Sequence, residues 1–268
     1  MRKKLNLVIG LDLILLLFLS LSGMSEGTAS TLLYYAAFLI PIAVGFILLG
    51  KTSLFRLPCD GDRMPLPLAL PFFAPGTALF FGLSMLTACL FSLAGKSDAT
   101  ALSGNFALDL LLHALLPALL EEFLLRRIPL GLLAGEDKKS AIFYSALFFS
   151  LVHCNLFRMP YAFAAGLIFA ALDLAAGSIL PSLLFHFGNN LLSLLWLRLG
   201  AGGAGRAWYL AALGALTVVS LAFIAVRRET YKLCFSRIFD KKSKLFFSYE
   251  AILLAAAALF IAVTSILF

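Results

Sequence analysis

Two carboxylates, Glu121 and Glu122, stand side by side among leucines in the stretch 118–130, and Arg126 and Arg127 follow four and five residues after Glu122. An ionisable side chain inside an apolar, membrane-crossing run costs at least ~2.5–3.5 kcal/mol, so such groups turn inward and find partners. On a helix, Glu122 and Arg126 are four residues apart and share a face, whereas Glu121 points roughly 100° away and has no such partner. Glu121 is therefore the free carboxylate. The next strongly polar turn is 135–139; Glu121 lies 16 residues before Asp137 and His153 lies 16 residues after it. If the chain reverses there, antiparallel helices hold a carboxylate and an imidazole at one depth, the minimum needed to move a proton. His186 and Asn190, again four apart, share a face of a later apolar run and bring two further polar groups from a third helix.

Plainer readings stand beside these. Glu122 with Arg126 reads as a structural ion pair that satisfies itself. Glu121 alone could mark a cytoplasmic interface with Arg126 and Arg127 snorkelling, and a lone His153 or His186 serves equally as a hydrogen-bonded bundle residue. His113 and Asp109 read as structural, Asp173 as a cytoplasmic interface residue, Asn189 as a helix–helix hydrogen bond, and Cys154 as a small buried thiol rather than a nucleophile.

The elements that must position these groups follow from composition. The chain has 268 residues, 62% hydrophobic and 13% charged, with mean hydropathy +1.01. That excess of apolar residues identifies an all-α polytopic membrane bundle. Nine runs are long enough to cross a bilayer: about 5–22, 31–50, 72–94, 106–126, 140–157, 160–176, 179–197, 208–226 and 245–267. About eight or nine transmembrane helices are expected. The fourth run could stop at Arg126, although 128–134 is apolar again. The run after Met1-Arg2-Lys3-Lys4 reads as an uncleaved anchor, since no convincing cleavage site follows it.

Basic residues in short loops stay on the cytoplasmic side. With the N-terminus inside and nine spans, seventeen of the 21 Lys and Arg fall on cytoplasmic segments, against Lys96, Arg158, Arg198 and Arg206 outside. The net charge of +7 therefore belongs to topology and to membrane lipids, and gives no reason to invoke nucleic acid. The segment 227–244 reads as a cytoplasmic connector. Cys59, Cys89, Cys154 and Cys234 are scattered and suggest neither a disulfide framework nor a zinc knuckle. No linker separates two globular units, so one integral bundle is the simplest reading; the motifs around Glu121, His153 and His186 mark a core over 106–197 within it, between N-terminal helices over 1–105 and C-terminal helices over 198–268.

Glu121-Glu122-x-x-x-Arg126, then Phe149-x-x-x-His153, then His186-x-x-x-Asn190, on successive apolar segments, resemble the CAAX-protease and bacteriocin-processing family of intramembrane proteases. The segment 177–182 before His186 strengthens the resemblance, which covers about 106–197. It implies an endopeptidase acting on a membrane-associated peptide or protein. Glu121 would be general base on a water that His153 helps to bind, and His186 and Asn190 would stabilise the oxyanion. Glu122 and Arg126 would brace the site, and Phe149 would pack the fifth span. No cofactor is needed in the preferred, glutamate-dependent reading; in the metalloprotease alternative, zinc would be held by Glu121, His153 and His186. The expected location is a prokaryotic plasma membrane, with cleavage from the cytoplasmic side and no indication of oligomeric state. Two other classes compete. A non-catalytic membrane partner, immunity or regulatory protein of the same fold would use the bundle as a docking surface. A transporter is disfavoured because the chain shows no repeated half and no matched pair of broken helices.

Overall fold

The computed structural model describes residues 2–21, 28–50, 53–59, 62–93, 95, 102–199 and 203–239, with 255–256, 258–259 and 263; within them, side chains are described over 3–15 and from 32 onward. Nine helices succeed one another among the described residues: α1 (Arg2–Leu21), α2 (Thr28–Leu49), α3 (Leu66–Leu93), α4 (106–133), α5 (Lys138–Leu151), α6 (Met159–Ala176), α7 (Leu180–Arg198), α8 (Ala204–Val226) and α9 (Arg228–Phe239). No named strand occurs among those residues. By length and composition alone, four segments suffice to cross a membrane: 32–49 in α2, all of α3, and α6 and α8. None of the residues of α8 is buried, and Trp208, Leu216, Val218 and Val226 are openly exposed. An apolar surface that continuous belongs against lipid. The chain is an integral membrane protein built as a helical bundle. The ninth run of the sequence, 245–267, lies almost wholly outside the described residues.

The reversal after the two glutamates is where the sequence places it. α4 passes straight through Arg126 to Leu133, and Asp137 caps α5 by accepting from the Lys139 N–H at 3.1 Å and the Ser140 hydroxyl at 2.6 Å. The helix α4 is not uniform. Two π turns, Leu111–Leu115 and Phe123–Arg127, interrupt it, and each is followed within two residues by a proline, Pro117 and Pro129. Proline has no N–H for the carbonyl four residues back and its ring crowds that carbonyl, so a widened turn relieves the conflict. For Pro129 the carbonyl released is that of Leu125, and the site uses it.

α5 and α6 pack closely. A Cβ at Gly166 would stand 2.6 Å from Ala146 Cα, so only glycine fits at this crossing. Gly177 ends α6 in the left-handed region at φ 63°, which glycine adopts without penalty. The stretch that joins α2 to α3 is stitched to the α6–α7 turn by Leu57 N–H to Gly177 O at 3.0 Å, Ile179 N–H to Phe55 O at 2.9 Å and Met64 N–H to Ala175 O at 2.9 Å. These bonds fix where α7 begins.

Three sequence expectations change. α5 stops at Leu151, so His153 sits in the turn beyond the helix rather than within a span over 140–157, and Cys154 takes φ 44°. Asp173 is fully buried rather than interfacial; its Oδ1 accepts from the Ser182 N–H at 3.0 Å and so caps α7 from a neighbouring helix. The segment 227–244 contains a helix, α9, whose Tyr231 packs edge-on against Phe72 at 5.1 Å and donates to Leu68 O at 3.0 Å.

Candidate active site

Glu121 and Glu122 sit on α4 between its two π turns, 6% and 0% exposed. Glu122 is held from two sides. Its Oε1 accepts from His186 Nδ1 at 2.8 Å, and its Oε2 faces Arg126 Nε at 3.4 Å, an ion pair rather than a tight hydrogen bond. The pairing with Arg126 expected from spacing is present; the bond to His186 connects α4 to α7.

Arg126 is fully buried and held mainly through one nitrogen. Its Nη1 donates to the Leu125 carbonyl at 3.0 Å and to Ser145 Oγ at 3.2 Å, and its guanidinium lies 4.1 Å above the Phe149 ring centroid. Ser145 Oγ also donates to that Leu125 carbonyl, the one Pro129 leaves free. Phe149 is buried, with its ring edge-to-face against His153 at 5.2 Å and His186 at 5.4 Å. It spaces the two imidazoles and supports the cation at once. Arg127 is buried too, and donates to the carbonyls of Ser53 and Leu54 at 2.9–3.1 Å. Neither arginine is a loop charge at a lipid headgroup, so fifteen of the seventeen basic residues assigned to that face carry the asymmetry.

Glu121 is held by none of this. Among the described residues its Oε2 has no hydrogen-bond partner, and it lies 4.0 Å from His153 Nε2 and 4.0 Å from His186 Nε2. Hydrogen bonding fixes the imidazoles. His153 Nδ1 stands 2.6 Å from Phe149 O, and a carbonyl only accepts, so Nδ1 carries the proton. His186 Nδ1 donates likewise to the Glu122 carboxylate. In their neutral forms both rings therefore turn an Nε2 lone pair toward Glu121; for His186 to donate from Nε2 it must be the imidazolium that Glu122 is placed to stabilise. Asn190, one turn beyond His186, has a half-buried side chain that makes no hydrogen bond among the described residues and lines a cavity of about 550 Å³ together with Asn189 and His113.

A carboxylate and two Nε2 atoms oriented by Nδ1 acceptors are the right chemistry for zinc. The spacing is not. Tetrahedral ligands about 2.0–2.1 Å from the metal stand about 3.3 Å apart, whereas each pair measured here is 4.0 Å apart. Among the described residues no group of three His, Cys, Asp or Glu is arranged to hold a metal ion.

Residues 103–192 match a protein-family model described as Rce1-like, type II CAAX prenyl endopeptidase. The matched segment is similar to the core of that family. It spans α4 to α7 and so contains every residue of the three motifs; α1–α3, α8 and α9 lie outside it. Nothing matches among curated proteins or among solved structures. The match supports a protease acting on peptide or protein substrates in a membrane.

The N-terminal helices, which carry none of the motifs, nevertheless reach the matched segment. Asp12 of α1 is fully buried, neither of its oxygens has a hydrogen-bond partner among the described residues, and Glu121 is its electrostatic neighbour. Tyr35 of α2 donates to Leu112 O on α4 at 2.6 Å, and Tyr34 and Tyr35 also have Glu121 as an electrostatic neighbour. Asp12 was discoverable by the rule that exposed Glu121, an acid inside an apolar run. The tyrosines and Ser145 had no such signal.

Proposed function

We propose that the chain is an intramembrane endopeptidase in which Glu121 activates water against a peptide carbonyl, with its N-terminus on the cytoplasmic side. The observation that carries this reading is the position of Glu121 Oε2, unpartnered and 4.0 Å from the Nε2 of both histidines. Two hydrogen bonds of about 2.8 Å from a single oxygen close a 4.0 Å gap at an angle of about 90°, so one water fits between the carboxylate and an imidazole.

Glu121 takes a proton from that water as its oxygen bonds to the carbonyl carbon, and the carbonyl oxygen becomes the tetrahedral oxyanion. The amide N–H of Asn190 and Nε2–H of a charged His186 are the donors for that oxyanion, with Glu122 balancing the imidazolium. When the C–N bond breaks, the proton held by Glu121 passes to the leaving amine and the acid product remains. His153, its tautomer set by Phe149 O, accepts from the water and orients it. Glu122, Arg126 and Phe149 hold these groups in place without touching substrate. No metal takes part. The prenyl group in the matched family's description is not carried over to the substrate.

The test compares the membrane proteomes of cells carrying wild-type and Glu121→Gln protein. At least one full-length polypeptide should accumulate, with its cleavage product lost, in the variant only. Identical profiles, with both proteins present at equal level, would sink the protease reading in favour of a docking or immunity role.

A further inference from the structure

α5 has 14 residues, about 21 Å of helix, against a hydrocarbon core of ~30 Å. A chain that enters the bilayer at the Asp137 cap therefore leaves helical form near His153 short of the opposite face, and continues as the turn 152–158. Irregular backbone is tolerated at that depth only if it is buried in protein or lines a water-filled cavity. The turn is partly packed in protein and partly borders a cavity. Thr87 of α3 donates to Phe157 O at 3.0 Å, Phe91 stacks on Phe157 with centroids 4.0 Å apart, and Ser150 donates to Met159 O at 2.8 Å. On its other side the turn lines the cavity of about 550 Å³, a size typical of ligand sites.

The cavity borders the candidate site through two residues, although Glu121, His153 and His186 do not line it. Asn190 is in its wall, and Arg158, also in the wall, is an electrostatic neighbour of Glu121 and His153. It also has a direction. α3 and α7 contribute their C-terminal halves, α4 its start at His113, and α6 and α8 their first turns at Tyr161 and Tyr209. These are one and the same end of the bundle. The opposite end carries Arg56, Arg63, Lys138, Lys139, Arg227, Arg228, Lys232 and Arg237, the side that basic residues mark as cytoplasmic.

We infer that this cavity is the substrate chamber, and that it receives from the non-cytoplasmic face an unfolded segment of a secreted or membrane-anchored polypeptide bearing bulky apolar side chains. The inference rests on the protease reading and reverses the cytoplasmic access expected from sequence. The side-chain class follows from the walls, where Phe80, Phe81, Phe157, Tyr161, Trp196 and Tyr209 supply aromatic surface. Arg158 is the single Lys or Arg among the described lining residues, and none is acidic, so a neutral or acidic segment is favoured over a basic one.

Two experiments test it. In a background with Cys59, Cys89, Cys154 and Cys234 changed to Ser, selected for retained thermal stability, Ser193→Cys in the cavity wall should react with a membrane-impermeant maleimide on intact cells. Lys232→Cys on α9 should react only after permeabilisation. Protection of Ser193→Cys in intact cells overturns the inference. Separately, single-span reporters carry a short Phe- and Leu-bearing segment on one membrane face or the other. Product that depends on Glu121 should come from the outward-facing reporter alone, and Ser193→Trp should lower its preference for aromatic over alanine segments by roughly tenfold or more. Cleavage of the inward-facing reporter overturns the access route. If Ser193→Cys is labelled as expected but neither reporter is cut, the protease reading fails and the chamber's role fails with it.

Discussion

The two adjacent glutamates should respond in opposite ways to the same conservative change. In Glu122→Gln, Arg126 loses its counter-charge while remaining fully buried. Removing one partner of a buried pair typically costs ~3–5 kcal/mol. The lower end applies here, because the pair is 3.4 Å apart and Arg126 keeps Leu125 O, Ser145 Oγ and the Phe149 face. The amide oxygen can still accept from His186 Nδ1, so that bond weakens from charged to neutral, a loss of about 1 kcal/mol. The expected destabilisation is therefore about 3–4 kcal/mol. In Glu121→Gln, the oxygen lost has no hydrogen-bond partner and a buried charge disappears, so stability should stay within about 1 kcal/mol or rise. Thermal unfolding of the purified proteins in detergent, followed by Trp fluorescence and paired with substrate cleavage, separates the two. Glu121→Gln should melt like wild type and cut nothing; Glu122→Gln should melt early. If Glu121→Gln lost as much stability as Glu122→Gln, Glu121 would be a structural member of the network and the division between the two would be wrong.

Asn190→Ala should lower kcat by roughly 10²–10³ with unchanged melting, since its side chain supports nothing else, whereas His186→Ala should lose both turnover and stability through its bond to Glu122. Treatment with a chelator should leave cleavage intact; inactivation reversed by added zinc would make Glu121, His153 and His186 ligands, with their 4.0 Å gaps closing around the ion. Asp12→Leu should raise the melting temperature, because each unpartnered buried oxygen costs about 1–3 kcal/mol, and a fall in melting temperature would show that Asp12 has a partner in the working protein.

What could be read from sequence was local and periodic. Four-residue spacing separated Glu122 from Glu121 because both ends of the relation lie on one helix, and the same spacing paired His186 with Asn190. The polar turn at 135–139 announced itself between two apolar runs. Hydropathy could not see α5 end, since Val152, Leu156 and Phe157 are as apolar as the helix before them. The breaker is Pro160 at the start of α6, which marks where a helix begins rather than where the last one stopped. Asp173 was misplaced because its partner, the Ser182 N–H, belongs to the next helix and exists only once Gly177 has turned the chain. Asp12 escaped for a related reason: its electrostatic neighbour Glu121 comes 109 residues later in the chain. The direction of the cavity needed three dimensions, since it depends on which ends of α3, α4, α6, α7 and α8 come together.

The backbone defect at Pro129 and the free carboxylate at Glu121 are ends of one chain of dependence. Because Pro129 has no N–H, the Leu125 carbonyl is released from the helix, and Ser145 and Arg126 take it. That fixes the guanidinium over Phe149, where its Nε faces one oxygen of Glu122. The other oxygen is then committed to His186 Nδ1, which turns Nε2 toward Glu121. Phe149, clamped beneath the arginine, offers its own carbonyl to His153 Nδ1 and turns that ring's Nε2 the same way. The links answer most but not all of the buried polar atoms, since Glu122 Oε2 and Arg126 Nε and Nη2 make an ion pair without a hydrogen bond. Glu121 Oε2 has neither a cation nor a donor beside it among the described residues, only the two Nε2 atoms 4.0 Å away, and so stays available to a water and a peptide carbonyl.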